Sequence, residues 1–167
     1  LTNFSDINLG EIEFDIPKTS NLEIKKRLDK TILILSSDSG SSYLNSDGTP
    51  LDKISSEMGM LLVKQNTTLT PIEAEEITSS KKGSEYRGRT LPLMKVISMN
   101  EKDKLINVYL NVYSGEVTAI RSMQWKIWDL MWGFHIMDWQ ERDNIDNLFL
   151  KIFSILALVS SISGILL

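Results

Sequence analysis

The hydrophobic and polar positions of this chain separate most clearly in its last third, where polar residues become rare. Residues 147–167 (NLFLKIFSILALVSSISGILL) carry one charge, that of Lys151 near the start. A bilayer core of about 30 Å is crossed by roughly 20 mostly apolar residues in a helix. A surface helix of a soluble protein normally keeps a polar face, whereas residues 152–167 offer only serines and one glycine. The pattern predicts a transmembrane helix, and the alternative is the buried core helix of a soluble domain.

The segment before it, residues 121–146, carries aromatic residues at helical spacing. The four tryptophans and the single histidine recur at steps of three, four, three and four, which is one stripe of an α-helix: Trp125, Trp128, Trp132, His135 and Trp139. Tryptophan prefers the membrane–water interface because its ring is apolar and its N–H group needs a polar partner. We therefore predict an amphipathic helix along the membrane surface that turns into the span, with Gly133 as a candidate kink. The alternative is a core-packing helix of a soluble domain.

Upstream, the patterning predicts several strands and one clear helix. Strands are predicted where apolar and β-branched residues cluster or alternate with polar ones, at 11–16, 31–36, 91–99, 104–113 and 117–122. A helix is predicted over 52–65, with one apolar face and with Ser55 as its N-cap.

Two shorter segments carry helical signals of their own. Residues 21–30 are predicted as a short helix because a capping residue precedes them and basic residues lie near their end. Thr70–Glu73 has a capping-box pattern with proline at the first helical position, which favours a helical turn, while the end of the run that follows (EAEEITSS) would equally suit a strand. The expected fold class is α+β: an antiparallel sheet packed with a helix, then an interfacial amphipathic helix and a C-terminal transmembrane helix.

A short internal echo connects two of the predicted strand ends. Tyr-Leu-Asn occurs at 43–45 and again at 109–111, each time before a turn that contains glycine, Gly48 or Gly115. Glycine supplies the positive φ that such turns often require. The echo favours two copies of one strand–turn–strand unit, and a chance match is the alternative.

Composition narrows the function classes. The 167 residues carry a net charge of −4 and a pI near 5.1, which opposes the basic patch that nucleic-acid binding needs. The absence of cysteine excludes disulfides, cysteine nucleophiles and thiolate metal sites. Because residue 1 is leucine, we expect the natural chain to begin further upstream, with a signal peptide or a first membrane helix.

Residues 50–167 resemble a PepSY domain with its associated membrane helix. The resemblance rests on the helix at 55–65, on YRGRTLPLMKV at 86–96, on VYLNVYSGEV at 108–117 and, most specifically, on WKIWDLMWGFHIMDW at 125–139 before the apolar run. It implies a bacterial inner-membrane protein with a periplasmic PepSY domain. It also implies either a peptidase-inhibiting role, as in metalloprotease propeptides, or a link to iron uptake and flavin- or haem-dependent reduction.

Most hypotheses about catalysis or cofactor binding depend on His135, because it is the only histidine in the sequence. Hydrolysis lacks support, since no nucleophile, phosphate-loop or zinc-protease motif accompanies it. Haem ligation, with Met131 or Met137 nearby, is the one cofactor hypothesis, although one helix supplies only part of such a site. No cofactor is predicted otherwise, and a histidine packed at the interface is the plainer interpretation.

Two groups of carboxylates are interpreted as surface charge. Asp129 and Asp138 flank the stripe and are expected on a solvated face, where they cap a segment end or form salt bridges to Arg121, Lys126 or Arg142. Glu73, Glu75 and Glu76 form an acidic cluster that we interpret as exposed charge rather than as a metal site.

These expectations combine into one domain plan. Residues 1–50 form an N-terminal segment with a divergent PepSY-like repeat, 51–120 the PepSY-like domain, 121–146 the tryptophan-rich interfacial helix and 147–167 the transmembrane helix. The leading hypothesis is a non-enzymatic periplasmic module, anchored in the bacterial inner membrane, that binds or regulates a partner protein. The alternative is a subunit of a membrane redox system, with His135 near the electron path. Trp125, Trp128, Trp132 and Trp139 are the expected membrane-interface residues.

Overall fold

The computed structural model describes residues 21–38 and 40–166. This part of the chain is α+β, with two antiparallel sheets and three helices. It divides into two compact units: the sheets and the first helix, within 21–79 and 90–120, and a second unit of 80–89 and 121–166. The strand predicted at 11–16 lies outside the described residues.

The first sheet is a meander of β1 (Asn21–Arg27), β2 (Lys30–Ser37) and β3 (Gly40–Asn45). The strand predicted at 31–36 is confirmed as β2, but the short helix predicted at 21–30 is wrong, since β1 pairs with β2 along its length. Leu22 and Ile24 alternate with charged residues and lie opposite Leu35 and Leu33. This period of two outweighs the helix-end signals, because pairing with a buried strand stabilises β1 more than local propensity stabilises a helix.

The second sheet follows the first helix. Helix α1 (Ser56–Asn66) begins after the predicted N-cap, since the Ser55 side chain accepts a hydrogen bond from the Met58 N–H at 3.2 Å, and the predicted range of 52–65 started too early. The strand order is sequential and the described ladders are antiparallel: β4 (Thr70–Ile77), β5 (Leu93–Met99), β6 (Leu105–Asn111) and β7 (Val117–Arg121). The helical turn predicted at Thr70–Glu73 is wrong. Pro71 instead lies in an edge strand, next to a register shift, where its missing N–H is tolerated.

The main core lies between α1 and the second sheet. Its buried side chains are aliphatic: Ile54, Leu62, Val63, Met94, Val96, Val108, Leu110 and Val112. Gly59 is buried in α1, and a Cβ there would stand 3.0 Å from the Met94 side chain. The helix therefore approaches the sheet closely at this point, as the predicted sheet-and-helix layer requires.

The two sheets meet at the Tyr-Leu-Asn segments. Both β3 and β6 end on the asparagine of that motif, and both following turns contain a glycine at positive φ, 84° at Gly48 and 74° at Gly115. The rings of Tyr43 and Tyr113 stack at 5.1 Å, and Asn111 donates to the Tyr43 hydroxyl at 2.9 Å. The echo in the sequence thus corresponds to two equivalent strand ends that contact each other.

The second unit holds the remaining helices. Helix α2 (Met123–His135) begins at the Ser122 cap and is shorter than the predicted 121–146. Gly133 lies in the last turn of α2, so it stands near the end of the helix and not at a kink within a longer one. Helix α3 (Leu148–Leu166) is exposed along its length and is long and apolar enough to cross a membrane.

Candidate membrane-facing site

Helix α2 exposes its apolar side. Seven of its large hydrophobic side chains are exposed, and we call them the apolar face: Met123, Ile127, Trp128, Leu130, Met131, Trp132 and Phe134. Trp128 is 59% exposed, although burying such a ring removes a large apolar area from water. A helix of a small soluble unit normally turns this side to the core, so the apolar face is a candidate contact surface.

A series of contacts between aromatic rings connects the apolar face to α3. Trp128 and Trp132 stack with ring centroids 6.1 Å apart, and Trp132 lies 5.8 Å from the His135 ring. Trp139 then contacts Phe134 at 6.4 Å and Phe149 of α3 at 5.9 Å. The apolar face is therefore continuous with the exposed surface of α3.

The opposite side of α2 is buried and charged. Asp129 is only 2% exposed, and its carboxylate accepts from the Arg87 guanidinium and pairs with Arg142 at 3.2 Å. Arg87 also pairs with Asp143 at 3.0 Å. We call Arg87, Asp129, Arg142 and Asp143 the salt-bridge seam. The predicted solvated position of Asp129 is wrong, because three segments of the unit enclose this carboxylate.

The opposite charges of the salt-bridge seam stabilise one another in their ionised forms. Burial alone would lower the pKa of Arg87, but hydrogen bonds to Asp129 and Asp143 outweigh it and raise the pKa above its ordinary value. The two guanidinium groups compensate the charge of the buried carboxylate. Removing any one of the three leaves buried charge without a partner, which is strongly destabilising.

Two glycines allow the segments to close on α2. A Cβ on Gly133 would lie 2.6 Å from Arg142 Cγ and 2.9 Å from the Asp138 carbonyl oxygen. A Cβ on Gly83 would lie 2.5 Å from the Gln140 carbonyl oxygen, and the Gly83 carbonyl accepts from Arg142 at 3.1 Å. Gly133 therefore allows residues 138–142 to approach α2, and Gly83 allows the loop 80–89 to approach the backbone at Gln140.

Trp125 differs from the other tryptophans of the stripe. It is partly buried, with the Arg121 guanidinium 4.2 Å from its ring centroid and that of Arg87 at 5.7 Å. Cation–π contacts of this kind stabilise the side of α2 that faces the seam. Trp125 thus lies beside the seam, while Trp128 and Trp132 lie on the apolar face.

The end of α2 is a Schellman-type turn. The Asp138 N–H donates to the Gly133 carbonyl at 2.9 Å and the Met137 N–H to Phe134 at 3.2 Å, with Met137 at φ 57°. Trp139 therefore lies beyond the helix rather than on its last turn. Asn147 caps α3 by accepting from the Leu150 N–H at 2.9 Å.

Asp138 stabilises the segment between α2 and α3, residues 136–147, which we call the connector. Its carboxylate accepts from the N–H groups of Glu141, Asp143 and Asn144 at 3.0–3.2 Å. Burial is the largest single influence and raises its pKa, but the backbone donors together outweigh burial and hold the pKa below its ordinary 3.8. Asp138 thus caps backbone groups of the connector, which is one of the two roles expected from the sequence, and within the described part of the chain it forms no salt bridge to Arg121, Lys126 or Arg142.

This contact predicts a pH dependence. A carboxyl group whose pKa is lowered by folding contributes stability above its unfolded pKa, and that contribution is lost as the pH falls through the folded value. We expect Asp138→Asn to lower the free energy of unfolding by roughly 1 kcal/mol at pH 7, after allowance for solvent screening. The difference from the natural chain should shrink as the pH falls through the folded pKa, which lies below 3.8, and should be smallest at about pH 2. Urea unfolding at both pH values measures it, and a difference that persists in acid would contradict the assignment.

The other candidate residues are dispersed. His135 is exposed on α2 and its ring contacts Trp132. Glu75 and Glu76 pair with Lys95 and Lys53 at 2.7 and 2.6 Å. Over residues 21–38 and 40–166, the structure brings together no group of three or more His, Cys, Asp or Glu side chains suited to a metal ion.

Comparison with known proteins leaves the family open. No protein-family model, curated protein or solved structure is significantly similar to the chain. The resemblance to PepSY domains therefore remains a prediction from residues 50–167. The fold and the two sides of α2 are the observations on which function must be argued.

Proposed function

We propose that the protein is a membrane-anchored module that binds or regulates a partner protein and catalyses no reaction. In this proposal α3 crosses the bilayer and α2 lies in the interface with its apolar face toward lipid. The unit that holds the two sheets stands in the aqueous phase and contacts the partner. The PepSY resemblance supports a periplasmic location at the bacterial inner membrane.

One observation carries the proposal: α2 is inverted relative to a helix of a soluble domain. Its carboxylate, Asp129, is buried in the salt-bridge seam, while Trp128 and Trp132 are exposed. Lipid is the occupant that fits the apolar face, because the ring contacts through Trp139 and Phe149 join that face to the candidate span α3. Interfacial helices place aromatic and aliphatic side chains in the boundary between headgroups and acyl chains.

A second candidate, a subunit of a membrane redox system, is favoured by the place of His135. The imidazole lies beside Trp132, at the edge of the surface proposed to face lipid. A haem bound at that edge could take the imidazole as an axial ligand. Such a site needs a further ligand from another chain.

One experiment separates the two functions. The full-length protein is purified from membranes in mild detergent and its absorbance is recorded from the ultraviolet to the red. The binding module is expected to show only aromatic absorbance. A Soret band that is lost in His135→Ala, but retained in the matched variant Phe134→Leu on the same helix, would overturn the proposal in favour of the redox subunit.

A further inference from the structure

The connector between α2 and α3 forms a small cavity at the start of the proposed span. It has a volume of about 260 Å³ and is a shallow pocket, widely open to its surroundings. Polar groups and two aromatic rings line it: Asp138, Trp139, Glu141, Asn144, Asn147 and Phe149. Neither the salt-bridge seam nor the apolar face accounts for this combination.

The two rings form a corner suited to a cation. Trp139 and Phe149 have centroids 5.9 Å apart and planes inclined at 52°. The face of an aromatic ring attracts an ammonium group, most strongly for tryptophan.

The charge of the cavity points in the same direction. Among the described residues, no lysine, arginine or histidine nitrogen lies within ion-pair distance of the Asp138 carboxylate, whereas Glu141 is paired with Lys82. The oxygens of Asp138 already accept three backbone N–H groups, which fix the carboxylate in place. Asp138 therefore keeps a fixed negative charge beside the two rings, and the cation of the chain that lies nearby, Lys82, is paired with Glu141 rather than with Asp138.

The position of the cavity identifies the source of the cation. Asn147 and Phe149 are the cap and the second residue of α3, so the cavity lies at headgroup level when α3 crosses the bilayer. The cations fixed at that level are the ammonium groups of ethanolamine and choline phospholipids. We propose that the cavity binds the ammonium headgroup of a zwitterionic phospholipid, an inference that rests on the proposed membrane anchoring.

Native mass spectrometry of the full-length protein tests this binding. The protein in mild detergent is titrated with phosphatidylethanolamine, phosphatidylcholine or phosphatidylglycerol of equal chain length. The first two should bind about threefold to tenfold more tightly than phosphatidylglycerol, as expected for one cation–π contact with charge attraction. Trp139→Leu and Phe149→Leu should each reduce that preference, and Trp128→Leu on the apolar face is the matched control.

The outcomes distinguish this inference from the proposed function. Equal binding of the three lipids, or an unchanged preference in both Trp139→Leu and Phe149→Leu, would overturn the headgroup site while leaving the anchoring intact. Release of the natural chain from membranes by alkaline carbonate would overturn the anchoring itself. Competition by millimolar phosphoethanolamine or phosphocholine, but not by glycerol phosphate, would confirm that the headgroup is recognised.

Discussion

Asp129→Ala is expected to lower the free energy of unfolding of the second unit by about 3 kcal/mol. The substitution leaves Arg87 and Arg142 partly buried without the carboxylate that both of them contact, and it opens a gap on the covered side of α2. The loop 80–89 should then detach from the helix. Urea-dependent pulse proteolysis with trypsin measures the effect, because Lys81, Lys82 and Arg89 lie in that loop.

Asp143→Ala provides the matched control. Asp143 pairs with the same Arg87, but 62% of its side chain is exposed, so its removal should change stability by less than about 1 kcal/mol. Equal losses in the two variants would show that burial of Asp129 does not determine the strength of the seam. A loss below 1 kcal/mol for Asp129→Ala would contradict the described packing of α2.

Two arginines in the middle of α3 are expected to release the chain from membranes. Each arginine at the centre of a spanning helix costs roughly 2.5–3.5 kcal/mol, so Leu156→Arg with Val159→Arg costs roughly 5–7 kcal/mol. Both residues are more than half exposed in the described structure, so the double variant need not disturb packing within the chain. Alkaline carbonate extraction of cell membranes measures the loss.

The control for the span is Leu156→Phe with Val159→Leu, which alters shape but keeps the segment apolar. It should remain in the membrane pellet. If the arginine variant also remained there, α3 would not be needed for anchoring. If the natural chain were fully extracted without detergent, the protein would be soluble and α3 would be a core helix for another surface.

The sequence predicted the elements whose signals are local. The Ser55 cap, the strand at 31–36 and the apolar run of α3 each depend on neighbouring residues, and the structure has all three. The two incorrect segments, 21–30 and Thr70–Glu73, had local helix signals. Antiparallel pairing with β2 and β5 overrode them, because strand pairing depends on residues distant in the chain.

The candidate site was only half predictable. The shared helical stripe of Trp128, Trp132 and His135 could be predicted, because helical spacing depends only on residues within one segment. The contact of Arg87 with Asp129 joins residues 42 positions apart, and no spacing rule connects them. The close approach at Gly133 likewise depends on where Arg142 lies, although a glycine among large side chains was a visible signal.

Site-directed spin labelling shows whether α2 faces lipid, and it is practical because the sequence has no cysteine to remove. Single cysteines replace Ile127 and Phe134 on the apolar face, and Lys126 on the side of the seam serves as the control. In lipid vesicles, labels at Ile127 and Phe134 should collide more with oxygen than with a water-soluble nickel chelate, and the label at Lys126 should do the reverse. Equal preference for the chelate at all three positions would show that α2 faces water or protein, and would contradict the membrane-facing site.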